Sequence, residues 1–131
     1  MEISGRFLLD TNIIIALFAD EDVVKEKLSS AVEIFIPNVA IGELIYGALK
    51  STRSDENLAR INEFTESNVI LGSDSETAQY YGQIKFSLQQ NGRPIPENDI
   101  WIAAIATQNN LTLVSRDVHF SEIGDLQIEV W

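Results

Sequence analysis

Arg6-Phe-Leu-Leu-Asp-Thr-Asn-Ile-Ile-Ile-Ala-Leu-Phe-Ala19 decides the fold of this chain. Phe7-Leu-Leu9 is apolar without alternation, the pattern of a strand covered on both faces, so Arg6–Leu9 is predicted as a buried first strand. Asp10-Thr-Asn12 holds the polar residues of a turn, and an apolar helix is expected over Ile13–Ala19. Working outward, Asp20 to about Ser30 predicts a helix charged on one side, and Glu33–Ile36 a strand stopped by Pro37. Val39 to about Leu49 predicts an apolar helix, Ser54 to about Ser67 an amphipathic one, and Val69–Leu71 a short strand. Ser73-x-x-Glu76 has the form of a capping box for a helix running to about Gln90, with Gly92 at its C-terminal end. Pro94 and Pro96 form a stiff connector, Asp99–Gln108 a further apolar helix, and Leu111–Val114 and Gln127–Val130 the last strands. Strands alternating with helices predict an α/β domain spanning 1–131, with a central, mostly parallel sheet. Ligands of such sheets bind beyond the carboxyl ends of the strands.

Composition removes several chemistries. The chain has no cysteine, which excludes disulfides, thiolate metal sites and a cysteine nucleophile. It has one histidine, His119, which excludes a histidine-cluster zinc site and any nuclease using separate histidines as base and acid. Acid–base and electrophilic work therefore falls to carboxylates, with or without a metal. At 131 residues the chain buries about two-thirds of its unfolded surface, enough for one real core. The apolar run Ile13–Phe18 is far too short to span a membrane, and MEISGRFLLD has no basic region before an apolar core. A cytoplasmic protein without a membrane partner is expected. The net charge of −11 reads most simply as solubility and runs against a basic nucleic-acid-binding face.

Three acids sit in apolar surroundings. Asp10 lies between Phe7-Leu-Leu9 and Ile13-Ile-Ile15, Glu43 is the only ionisable residue from Pro37 to Leu49, and Asp99 opens Ile100-Trp-Ile-Ala-Ala-Ile-Ala106. Asp117 follows the predicted Leu111–Val114 strand closely, as Asp10 follows the first one. Carboxylates in apolar surroundings are costly unless paired or bound to a cation. If the four converge, each ionised pair at roughly 5 Å costs about 3 kcal/mol at an effective dielectric near 20. A hard divalent cation, Mg²⁺ or Mn²⁺, is the natural compensation for such oxygen donors. Taken one at a time, Asp10 and Asp99 also fit helix N-terminal positions, Glu43 an exposed stripe and Asp117 an ordinary turn.

Leu8-Leu-Asp-Thr-Asn12, Ile41-Gly-Glu-Leu44, Gly92-Arg-Pro-Ile-Pro-Glu-Asn-Asp-Ile-Trp-Ile-Ala-Ala104 and Ser115-Arg-Asp-Val-His-Phe120 together resemble, in order, the PIN-domain family and its VapC-like toxins. The resemblance covers nearly the whole chain, and the stretch from Gly92 to Ala104 is its most specific part. It implies a three-layer α/β/α fold and endonucleolytic RNA hydrolysis at an acidic Mg²⁺ or Mn²⁺ site. The implied catalytic and metal-binding acids are Asp10, Glu43, Asp99 and Asp117, supported by Thr11, Asn12 and Ser115, with Asn12 orienting Asp10 or the bound water. It also implies in-line attack of water leaving 5′-phosphate and 3′-hydroxyl ends, a homodimer, and a cognate antitoxin that blocks the site.

Arg93 and Arg116, near Asp99 and Asp117, are expected substrate-binding residues, and Lys50 and Arg53 after the Glu43 helix are further candidates for the RNA backbone. Each has an alternative as a solvated surface charge. Glu97 and Asn98 flank Asp99 as possible extra ligands, His119 is left as structural or exposed, and Trp101 with Tyr80-Tyr81 suits a core or dimer interface. Two rival functions stand beside the nuclease. A phosphatase or receiver domain lacks support, because Asp10-Thr-Asn12 has no second aspartate and no lysine follows Leu111–Val114. The other rival is a fold-retaining binding module without turnover.

Overall fold

The computed structural model describes residues 5–131. The expectation that no targeting segment precedes the fold concerns in part residues 1–4, which lie outside the described residues. The element order is β1 (Arg6–Leu9), α1 (Thr11–Phe18), α2 (Asp22–Ser29), β2 (Glu33–Pro37), α3 (Asn38–Lys50), α4 (Ser54–Glu66), β3 (Val69–Leu71), α5 (Ser75–Gln90), α6 (Glu97–Gln108), β4 (Thr112–Val114), a 3₁₀ turn (Val118–Glu122) and β5 (Ile128–Glu129).

The five strands form one sheet in the order β3-β2-β1-β4-β5, and every pairing is parallel. The sheet is thus wholly rather than mostly parallel. The order of strand addition reverses at β1: β2 and β3 lie on one side of it, and β4 and β5 on the other. That reversal opens a crevice at the carboxyl ends of β1 and β4.

The unbroken apolar runs have a direct reason. Phe7 and Leu9 pack with Ile36, Ile13, Ala40, Leu44 and Ile61 on the face covered by α1–α4. Leu8 and Leu113 pack with Leu88, Ile102, Ile105 and Phe120 on the face covered by α5 and α6. Successive side chains of β1 point to opposite faces, and both faces are dry. Helix α6 is buried over nearly all its circumference, with Ile100 and Ile102–Ala106 inside, as a helix without a polar stripe must be. Truncating Ile13 or Ile105, both fully buried, to alanine is expected to cost about 2–5 kcal/mol.

Several boundaries differ from expectation. Helix α1 begins at Thr11, not Ile13, because Asp10 itself caps it and accepts a hydrogen bond from the Thr11 N–H. The capping box of α5 is not Ser73 with Glu76: Asp74 accepts from the Thr77 N–H, and the Thr77 hydroxyl accepts from the Asp74 N–H. Thr77 is fully buried and also bonds Gln108, so tertiary context moves the cap by one residue. Pro37 ends β2 as its last residue. β4 starts at Thr112, in register with Phe7, and β5 is only Ile128–Glu129, the two residues in register with Leu113 and Val114. Gly92 has a φ of +65° just beyond α5, the left-handed turn that its position predicted. Trp101 and Tyr81 stack with ring centroids 4.1 Å apart, tying α5 to α6.

Candidate active site

The site lies in the crevice between β1 and β4. Leu9 and Val114 are register partners, so the next residues, Asp10 and Ser115, face each other past the strand ends. The Asp10 N–H continues the ladder to the Val114 carbonyl at 2.9 Å, which fixes the aspartate's backbone. Its carboxylate accepts from the Thr11 N–H at 2.8 Å, the Ser115 hydroxyl at 2.7 Å and the Asn12 amide at 3.3 Å. Ser115, fully buried, accepts in turn from Asn12 at 3.3 Å and from the Asp117 N–H at 2.9 Å. The Asn12 carbonyl oxygen accepts from the Arg116 N–H at 3.2 Å. Asn12 and Ser115 therefore clamp Asp10 and stitch the loop after β4 to the start of α1.

Glu43 sits on the second turn of α3, the helix that follows β2 at the same sheet edge. The Thr11 hydroxyl donates to its carboxylate at 2.8 Å, so Thr11 links Asp10 to Glu43 through adjacent backbone and side-chain contacts. Asp99 lies in the first turn of α6, where the helix's exposed N–H groups favour an anion. Asp117 caps the 3₁₀ turn by accepting from the His119 N–H at 3.0 Å.

The electrostatics show the convergence. Burial, followed by the charges of Asp10, Asp117 and Glu43, pushes the Asp99 carboxyl up to about 6. Burial also raises Asp10 above the usual carboxylate range. The Ser115 and Thr11 hydrogen bonds pull it down, and the charges of Glu43 and Asp117 add to the rise. Asp99 thus feels the charges of the other three acids, and Asp10 those of Glu43 and Asp117. Asp99 differs from Asp10 in one respect: among the described residues, no hydrogen bond is donated to its carboxylate. A half-buried carboxylate facing three others without a donor is a position that a cation would relieve. The donor set, carboxylate oxygens with polar support, fits a hard divalent ion.

The basic residues fall elsewhere. The Arg116 guanidinium pairs with Glu21 at 2.9 and 3.3 Å, and its Nε donates to the Trp131 carbonyl at 2.8 Å. Arg93 pairs with Glu122 at 3.2 Å. Glu97 is held by Lys85 and Tyr81, away from the other acids' polar network. Lys50 makes no ion pair among the described residues; its ammonium lies over the Tyr46 ring at 4.4 Å. Lys50 and Tyr46 line a groove with Thr11, Glu43 and Asn98. On the other side of α3, a second groove runs from Thr11 and Glu43 past Ile15 and Phe18 to Arg60.

His119 is the residue that sequence reasoning left out. Its Nδ1 lies 2.9 Å from the Asp117 carboxylate, and Asp99, Asp117 and His119 each offer a donor atom within 4.8 Å of the others. The signal that could have found it is its spacing: two residues after Asp117 on a tight turn, a capping aspartate and the side chain it caps stay together.

Comparison with known proteins defines the class. The PIN-domain profile matches residues 7–126. The chain belongs to the PIN-domain family, among its VapC-like members. It is 33% identical over 129 residues to the ribonuclease VapC2 of Haemophilus influenzae, covering 96% of this chain and 98% of that one. It is 35% identical over 129 residues, with the same coverage, to the tRNA(fMet)-specific endonuclease VapC of Shigella flexneri. Among solved structures, VapBC2 from Rickettsia felis bound to a promoter DNA fragment matches with a TM-score of 0.89 and 30% identity, covering 95% of this chain and 98% of that chain. VapBC-1 from nontypeable Haemophilus influenzae matches with a TM-score of 0.88 and 32% identity, covering 95% of this chain and 97% of that one.

Proposed function

We propose that this chain is a metal-dependent endoribonuclease, the toxin of a toxin–antitoxin pair, and that Asp10, Glu43, Asp99 and Asp117 form its catalytic, metal-holding set. The observation that carries the reading is the electrostatic convergence of four carboxylates from four separate segments on one crevice. Mg²⁺ or Mn²⁺, bound there, would polarise the scissile phosphodiester and make water a better nucleophile at neutral pH. Asp10 after β1, Glu43 on α3, Asp99 at the start of α6 and Asp117 after β4 would hold the ion. Thr11, Asn12 and Ser115 hold Asp10 and Glu43 in place, so little reorganisation accompanies substrate binding.

RNA is the substrate class that the family relationship supports, and it must approach a strongly acidic protein. Lys50, unpaired beside Tyr46 in a groove that includes Glu43, is the cation best placed to meet its backbone. Arg93 and Arg116 would reach RNA only by leaving their glutamate partners, so we assign them a secondary part. The antitoxin is proposed on the strength of the VapBC complexes matched above, and a homodimer by the same relationship. None of the described helices is long and apolar enough to cross a membrane, and the cytoplasm is the compartment we propose.

The test is incubation of the purified protein with structured RNA in Mg²⁺, Mn²⁺ or EDTA beside an Asp10→Asn variant. Cuts that need the ion and vanish in the variant support the nuclease. Release of phosphate from small esters instead would move the chain to the phosphatase class. RNA binding without cuts under every condition would make it a silent binding module.

A further inference from the structure

His119 is the only histidine in the chain. Its side chain remains about half exposed, at 53%, so burial does not hold it where it is. Its backbone is fixed instead: the His119 N–H is capped by Asp117 at 3.0 Å in a tight turn, and Phe120 beside it is fully buried and anchors that turn in the core. The imidazole is thereby presented beside the acid cluster. A simple surface hydrogen bond to Asp117 would explain the 2.9 Å contact, yet it leaves unexplained why the same ring also stands within 4.8 Å of an Asp99 donor atom.

We propose that His119 is a nitrogen ligand of the divalent ion held by Asp99 and Asp117, and that it tilts this site toward transition-metal ions over Mg²⁺. The inference rests on the metal-dependent reading above and goes past the four acids. In an octahedral shell with bonds of about 2.1 Å, adjacent donors stand about 3 Å apart and opposite donors about 4.2 Å apart. The 2.9 Å Asp117–His119 spacing matches an adjacent pair, and donors within 4.8 Å need to close by at most about 0.6 Å to stand as an opposite pair. The half-exposed ring, on a side chain with two torsions, can make that adjustment without disturbing the core. The chemistry then sets the preference. Mg²⁺ favours oxygen donors and keeps its water, whereas first-row transition ions gain from an imidazole nitrogen, in the order Mn²⁺ below Co²⁺ below Ni²⁺. A site of oxygens alone would show that bias more weakly.

Because the chain holds a single histidine, the test has a direct spectroscopic form. Untagged protein is loaded with Mn²⁺, and pulsed electron paramagnetic resonance reads nitrogen coupling to the ion. The expected result is a directly coordinated imidazole nitrogen that disappears in His119→Ala. In parallel, calorimetric titration gives the ratio of the Mg²⁺ to the Mn²⁺ dissociation constant. That ratio is expected to fall about tenfold in His119→Ala, mainly through weaker Mn²⁺ binding. His119→Gln, which offers an oxygen in place of the nitrogen, is expected to retain Mg²⁺ binding and lose the nitrogen signal. A metal-free thermal melt matching the parent confirms that both variants fold. Bound Mn²⁺ without imidazole coupling, or an unchanged ratio in His119→Ala, overturns the proposal and leaves the acid site standing. Failure of the parent to bind Mn²⁺ at all overturns the acid-site reading as well.

Discussion

The two walls of the crevice are built differently. On the β1 wall, Asp10 is 4% exposed and its carboxylate receives three hydrogen bonds, from Thr11, Asn12 and Ser115. On the α6 wall, Asp99 is half-buried with no donor among the described residues and is pushed up to about 6. Burial and like charge put both carboxyls under tension, but hydrogen bonds offset part of it on the first wall and none of it on the second. The contrast teaches a division of labour. Asp10 is a fixed post whose geometry the fold guarantees, and Asp99 is the group whose charge is compensated only when a cation arrives.

The largest expected effect breaks the second wall. Asp99→Asn removes a proposed ion ligand, and RNA cleavage is expected to fall by at least about 100-fold, since even outer supports of metal ligands cost 10–100-fold. Steady-state cleavage at saturating Mg²⁺ measures it, and near-parental turnover would place Asp99 outside the site. Next, Ser115→Ala loosens the first wall. The Asp10 carboxylate loses its shortest hydrogen bond, and the Asn12 amide and Asp117 N–H lose an acceptor. A fall of about 10–100-fold in cleavage and a stability loss of about 1–3 kcal/mol are expected, read by kinetics and urea unfolding.

The same tension predicts a pH signature of opposite sign to a salt bridge. Burial and the neighbouring carboxylates push Asp99 up to about 6 in the fold, above the usual aspartate value of 3.8, so the folded state holds its proton more tightly. Its contribution is fully present below the unfolded value and is lost as pH rises from about 4 through about 6. The metal-free protein is therefore expected to lose stability over that window. Asp99→Asn should raise stability at pH 7.5 by about 1 kcal/mol, after discounting for the group's partial exposure. Thermal melts in EDTA across pH 4–8 read it, and a parent that stabilises through that window would contradict it. Metal affinity should weaken as pH falls below about 6, because the ion competes with the Asp99 proton.

The smallest effects lie outside both walls. Lys50→Ala is expected to lower the salt dependence of RNA binding by about one unit of slope, as removal of one phosphate contact does. Arg116→Ala, which loses Glu21 and the Trp131 carbonyl, is expected to leave thermal stability nearly unchanged, because the pair is solvent-screened. Unchanged cleavage and RNA affinity in Arg116→Ala would remove that residue from the substrate path.

The legible parts of the sequence were those where one local cause acts alone. Phe7-Leu-Leu9 needs two dry faces, and Gly92 needs a left-handed turn, so both were readable from their own residues. Asp10, Glu43 and Asp99 stood out because an acid within an apolar run has few explanations. The α5 cap was misread because burial of Thr77 and its bond to Gln108, 31 residues away, chose Asp74 over Ser73. Arg93 and Arg116 looked free beside the acids, yet Glu122 and Glu21, remote in sequence, reach them first. His119 was passed over because a lone histidine carries no spacing pattern, and only the turn that Asp117 caps brings it to the cluster.

The contrast between the walls is tested most directly by thermal melting with and without Mn²⁺ at pH 7.5, for the parent and for Asp99→Asn. A cation that compensates the α6 wall should raise the melting temperature of the parent and reverse its disadvantage relative to the variant, which should respond weakly. An unmoved parent, or an equal shift in both proteins, would contradict the account.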